Sequence, residues 1–170
     1  MVTTIDFVNI PHTTDIMKTT CIILVTALAT ALASAEDSKA RKRLDTAPAA
    51  VRQTVNDNSR GGVLDDFDVI TIDGKSIYIA EIELPAELKI YVSENGSLLK
   101  TREDIPFSAA PEAVRKAVTA LGGTVDETKL ETSGKTSTYL IEIDRLGEPD
   151  LNVTVSPEGA VLNRHEEADD

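Results

Sequence analysis

Between residues 45 and 165 apolar residues recur with two different periods, and the order of the periods repeats. Val51 and Val55 stand four apart, as do Val114 and Val118, with Leu121 nearly a turn further on. Each set makes one stripe along a helix. Asp45 and Ser108 hold the expected N-cap positions, and Pro48 and Pro111 fall in the first turn, where a missing N–H does no harm. Gly61 with Gly62, and Gly122 with Gly123, are expected to end the two helices.

Period two then takes over. Tyr78, Ala80 and Ile82 alternate with Ile77, Ile79, Glu81 and Glu83; Tyr139, Ile141 and Ile143 alternate with Leu140, Glu142 and Asp144. Leu88, Ile90 and Val92 alternate with Lys89, Tyr91 and Ser93, as Leu151, Val153 and Val155 do with Asn152, Thr154 and Ser156. Such alternation predicts antiparallel strands with one face covered and one open. Further strands are expected at 69–72 and 130–132, before hairpin turns at Asp73-Gly74 and Ser133-Gly134, and at 98–102 and 160–164.

The matching segments keep their order at offsets of 60 to 63 residues. The expected fold is therefore α+β, with two tandem helix-plus-antiparallel-sheet repeats whose helices pack on one face of the sheet. The repeats span 45–104 and 105–165. A unit of about 60 residues is marginal alone, so the two should share one continuous core.

The N-terminal part reads differently. Lys18 precedes an apolar run from Cys21 to Leu32 (CIILVTALATAL), and Ala33, Ser34 and Ala35 follow. This is the layout of a cleaved secretory signal over 17–35, shorter than the roughly 20 residues a membrane span needs. Residues 1–16 are expected to be a non-native extension upstream of Met17, 36–44 a flexible arm, and 166–170 an acidic tail that includes neighbouring His165 in its disorder. The product expected after Ala35 is secreted or periplasmic, without stable membrane insertion.

Charge and composition narrow the chemistry. The chain of 170 residues carries 29 acidic and 17 basic side chains, a net charge of −12. Such a chain repels phosphate backbones, which argues against nucleic-acid binding. After the expected cleavage the net charge is −11, with no cysteine and His165 as the remaining histidine. Disulfide frameworks, Cys-rich zinc sites and histidine-centred catalysis are excluded on that reading. No Gly-rich phosphate loop occurs, and no cofactor or enzyme activity is expected.

The helix openings Pro48-x-x-Val51 and Pro111-x-x-Val114, the Gly-Lys hairpins, and Tyr78-x-x-Glu81 and Tyr139-x-x-Glu142 resemble the PepSY domain. A tandem pair behind a signal peptide is similar to the PepSY-like proteins described as β-lactamase-inhibitor-like. The resemblance covers roughly 45–165. It implies an exported, non-catalytic protein that binds or inhibits peptidases or other exported enzymes. The chain departs from the β-lactamase inhibitory protein in lacking disulfides and an aromatic-rich surface, which argues against tight β-lactamase inhibition.

The open face is the candidate partner site: Ile77, Ile79, Glu81, Glu83, Lys89, Tyr91, Leu140, Glu142, Asn152 and Thr154. Apolar groups mixed with carboxylates on an uncovered face suit a protein partner, as well as a merely solvated surface. Glu81 with Glu83, and Glu142 with Asp144, are paired carboxylates, but acid–base work needs a pocket that an open face lacks. Asp65, Asp66 and Asp68 offer oxygen ligands to Ca²⁺ without EF-hand spacing and read as a solvated loop. The basic run at 39–43 reads as a solvated arm. The rival reading is an acidic ion-binding or envelope-stress protein with no protein target; a strong thermal shift with calcium would favour it.

Overall fold

The computed structural model describes residues 39–167. The predicted signal segment and the upstream stretch lie outside them. Eight strands form one antiparallel sheet in sequence order: β1 (Val63–Ile72), β2 (Lys75–Glu83), β3 (Leu88–Ser93), β4 (Leu98–Asp104), β5 (Thr124–Ser133), β6 (Thr136–Asp144), β7 (Leu151–Val155) and β8 (Val161–Glu166). Among the described residues the chain is helical over 39–46 (α1), Ala49–Asn58 (α2) and Glu112–Thr119 (α3). The protein is thus α+β.

Two expectations fail at the helix starts. Residues 39–44 of the expected flexible arm are not an arm but, with 45 and 46, form α1 (39–46), because Ala40 and Leu44 bury themselves in the cluster of Phe67, Val51 and the β2 and β3 side chains. Asp45 consequently lies inside a helix and Ser108 inside a 3₁₀ turn (Phe107–Ala109), so neither caps. The cap positions belong to Pro48 and Pro111, whose carbonyls accept the first helical bonds from Arg52 and Arg115 at 3.1 and 3.0 Å. Proline has no N–H to leave unpaired there. The Arg52 guanidinium donates to the carbonyls of Asp45 and Ala47, closing the end of α1.

Burial follows the predicted stripes. Val51, Val55, Val114 and Val118 are all at most 1% exposed. Val51 and Val55 pack with Ala80, Ile82, Leu88, Ile90 and Val92; Val114 and Val118 pack with Tyr139, Ile141, Ile143, Leu151, Val153 and Val155. These are separate clusters rather than one continuous core. Strand pairing runs Leu88–Glu103–Leu130–Tyr139–Val155 across the sheet, so members of both clusters share a face.

β1 and β5 are each ten residues long, well beyond the predicted 69–72 and 130–132. Asp65, Asp66 and Asp68, expected in a loop, lie on edge strand β1, where Arg43 of α1 pairs with Asp66 and, at 3.1 Å, with Asp68. Bulges interrupt the pairing between Leu64 and Asp66 and again between Val125 and Glu127. The first hairpin turn is Asp73-Gly74, both with positive φ, as a two-residue type I′ turn requires. The second is Gly134-Lys135 between paired Ser133 and Thr136, so Gly134 stands where Asp73 stands, not where Gly74 does. His165 and Glu166 belong to β8 instead of a disordered tail.

Thr128 replaces an apolar residue in the second cluster. It pairs with Ile141 as Phe67 pairs with Ala80, is 4% exposed, and its Oγ1 has no hydrogen-bond partner. A buried unpaired hydroxyl is destabilising. Thr128→Val is expected to stabilise the protein by about 1 kcal/mol, read as a raised thermal midpoint; a lowered midpoint would show that the hydroxyl is bonded after all.

Candidate functional site: the open face of the sheet

The sheet face turned away from the buried clusters carries all ten predicted residues. None of them is buried. Cross-strand pairing brings them together in two groups. Ile79 faces Tyr91 and Glu81 faces Lys89 on β2 and β3, with Ile77 opposite Ser93. Leu140 faces Thr154 and Glu142 faces Asn152 on β6 and β7. Glu83 lies apart at the exposed end of β2, opposite Val63.

Between the groups runs a belt of charge that the predicted set omits. Lys89 Nζ stands 2.8 Å from Glu81 and 3.3 Å from Glu87. Lys100 and Arg102 of β4 both bind Glu131 of β5, at 2.8 and 2.7 Å. Lys129 binds Glu127 at 2.5 Å. The Lys100 ammonium lies 4.8 Å, and the Arg102 guanidinium 5.8 Å, from the centre of the Tyr91 ring. Two cations thus lie within cation–π reach of the Tyr91 ring, an arrangement worth up to about 1 kcal/mol per contact at an exposed site. A sequence signal for this belt exists: Glu127, Lys129 and Glu131 alternate with Thr128 and Leu130.

Electrostatics distinguish the two ends. Burial raises the Glu131 carboxyl, but the hydrogen bonds and charges of Lys100 and Arg102 outweigh it and leave its pKa below the usual value. The hydrogen bond to Glu81 raises Lys89. Burial is the main cause holding Glu142 above the usual range, with Glu127, Glu167, Asp126 and Asp150 adding repulsion. A recess of about 390 Å³ opens beside Glu142, between Leu140, Asn152, Thr154, Asn163 and His165.

Glu131 therefore titrates lower in the folded chain than in the unfolded one. Its stabilisation is full above the unfolded pKa and is lost as pH falls through the folded one. Glu131→Gln should cost about 1–2 kcal/mol at pH 7 and nearly nothing below the carboxylate range. Urea unfolding at pH 7 and near pH 2.5 reads the difference; an equal cost at both would disprove the ionic origin.

Among the described residues no group of three or more His, Cys, Asp or Glu side chains is placed to hold a metal ion. No described helix is long and apolar enough to cross a membrane. The arrangement is a broad, charge-laced sheet surface with apolar positions at Ile77, Ile79, Tyr91 and Leu140.

The molecule thus defined is an α+β protein with an eight-stranded antiparallel meander and one open, amphipathic face. No family model and no curated protein matches the chain. Solved structures do. A DUF2874 family protein from Bacteroides uniformis is 17% identical, with a TM-score of 0.61, over 71% of this chain and 89% of its own. A Bacteroides eggerthii protein, described as an inferred periplasmic protein, is 14% identical with a TM-score of 0.61, over 71% and 88%. A BLIP-like protein from Bacteroides fragilis is 14% identical with a TM-score of 0.57, over 73% and 90%. At these identities the likeness is one of fold.

Proposed function

We propose that this chain is an exported, non-catalytic binding module of two tandem PepSY-like units, and that it engages an exported protein through the open sheet face. The partner class is an exported enzyme, a peptidase foremost, held in a stoichiometric inhibitor-type complex. The observation that carries the reading is the uncovered face itself, with Ile77, Ile79, Tyr91 and Leu140 set among half-buried paired charges. Apolar groups interleaved with paired charges on an uncovered face are a surface that a protein partner can cover.

Other features support it. The matched pairings, bulges and glycine contacts of β1–β4 and β5–β8 favour a duplicated unit with both helices on one face. The apolar run 21–32 and the small residues after it favour export. The inferred periplasmic and BLIP-like descriptions of structural neighbours agree with an envelope binding role.

The test is affinity capture from an exported-protein fraction. Ile79→Ala combined with Tyr91→Ala should lose the captured protein, with the thermal midpoint lowered by no more than a few degrees. Unchanged capture, or unfolding of the double variant, would defeat the reading.

A further inference from the structure

The two ends of the open face differ in one systematic way. Strand pairing matches their positions without reference to sequence alignment. Glu81, Lys89 and Arg102 lie side by side on β2, β3 and β4; Glu142, Asn152 and His165 do so on β6, β7 and β8. Ile79, Tyr91 and Lys100 correspond in the same way to Leu140, Thr154 and Asn163. Outside these rows, the Asp104 N–H donates to the Glu87 carbonyl at 3.0 Å, and the Glu167 N–H to the Asp150 carbonyl at 2.9 Å. The carboxylates Glu81, Glu87 and Asp104 thus persist as Glu142, Asp150 and Glu167. The cations Lys89, Lys100 and Arg102 become Asn152, Asn163 and His165.

Two consequences follow, one in volume and one in charge. Lys89, Tyr91, Lys100 and Arg102 fill the first end with long side chains. Their shorter counterparts leave the recess of about 390 Å³ beside Glu142. Glu81 accepts a hydrogen bond from the Lys89 ammonium at 2.8 Å. Glu142 has no ion-pair partner among the described residues. Arg102 and Lys129 line the recess but are held by Glu131 and Glu127.

We infer that the recess is a socket for a basic side chain, lysine or arginine, presented by the bound protein, whose charged head sits beside Glu142 as Lys89 Nζ sits beside Glu81. The first end of the face displays the filled form of the geometry that the second end leaves empty. This inference rests on the open face being a binding surface and names what the partner must bring to it. Charge complementarity selects the occupant: the flanking Asp126, Asp150 and Glu167 repel an anionic group. The polar walls of Asn152, Asn163 and Thr154 suit the N–H donors of an ammonium or guanidinium.

The experiment supplies the missing cation from both sides. Capped Gly-Gly-Arg-Gly-Gly and Gly-Gly-Lys-Gly-Gly peptides, and a norleucine version, are titrated at low salt into the full chain by NMR. The side-chain signals of Asn152, Asn163 and His165 should move with the basic peptides and not with norleucine. Glu142→Gln and Asn152→Lys should each weaken the response about tenfold, equivalent to 1.4 kcal/mol, and Glu94→Gln, at an exposed carboxylate of the β3–β4 turn, should leave it unchanged. Asn152→Lys should also bring the Glu142 carboxyl titration down below its wild-type position. An equal response to norleucine, or a wild-type response from Asn152→Lys, overturns the socket. In the capture assay, Asn152→Lys retaining the partner as wild type does would overturn the socket and leave the open-face reading standing. Full retention by the Ile79→Ala, Tyr91→Ala variant would overturn that reading itself.

Discussion

Gly159→Ala should destabilise the protein by about 3–5 kcal/mol, with Gly96→Ala close behind. Gly159 sits in the β7–β8 turn at φ +88, and an added Cβ would lie 2.6 Å from the carbonyl oxygen of Ala113 on α3. Gly96 sits in the β3–β4 turn at φ +85, where a Cβ would lie 2.5 Å from that of Ala50 on α2. The obstruction at each position is helix backbone or its methyl group, which cannot swing aside as a long side chain can. Positive φ adds strain of about 1–3 kcal/mol for any L residue, and overpacking a tight contact adds a similar amount. Thr54 Oγ1 donates to the Gly96 carbonyl at 2.6 Å, a hydrogen bond that breaks if the turn retreats from the helix. Urea unfolding followed by circular dichroism measures both variants. A cost under about 1 kcal/mol would mean the turns are not seated against the helices.

The second large effect separates the two faces of one strand. Ile141→Ala should cost about 3–4 kcal/mol, while its neighbour Leu140→Ala should cost about 1 kcal/mol or less. Ile141 is 2% exposed and belongs to the cluster under α3; Leu140 points to the open face and lines the recess. Truncating Ile141 loses transfer free energy and leaves a cavity that a packed sheet cannot close. Truncating Leu140 enlarges a surface already in contact with water. Comparable costs at the two positions would mean that the open face is covered in solution.

Much of this division is legible in the sequence. The alternation through β2, β3, β6 and β7 assigns each residue from Ile77 to Glu83 and from Tyr139 to Asp144 to its face, and the observed burial agrees except at Tyr78, which packs against the first cluster but is only half-buried because it lies at its margin. Period-two patterning works there because one face is buried and a one-residue slip would expose the whole apolar set. It fails in β1 and β5, whose Asp65, Asp66, Asp68, Asp126 and Glu127 carry the composition of a loop. The strands persist because pairing supplies the backbone bonds, bulges absorb the odd residues, and Arg43 neutralises part of the β1 charge. The ten residues named from the sequence do lie on the open face, but the charge belt on that face was not among them. Lys100, Arg102 and Glu131 come from strands distant in sequence, and only the β4–β5 pairing sets Arg102 against Glu131. The recess was invisible for a related reason, since it arises from four short side chains on β7 and β8 that no local period marks.

Helix α1 shows the opposite failure. Its basic residues suggested a solvated arm, whereas Ala40, Leu44 and Ala47, all at most 6% exposed, fasten it to the first cluster. Two small apolar residues and one leucine outweigh four cations because the cations remain at the surface. Arg43 then joins the helix to β1, the strand at one edge of the open face.

The open face as the binding surface is tested most directly by hydroxyl-radical footprinting of the complex with the captured exported protein. Ile79, Tyr91 and Leu140 should be protected several-fold, while Phe107 and Leu121, which pack on the second cluster from the helix side, keep their free reactivity. Protection of Phe107 and Leu121 with Ile79, Tyr91 and Leu140 unchanged would place the partner on the other side of the sheet and contradict the proposal.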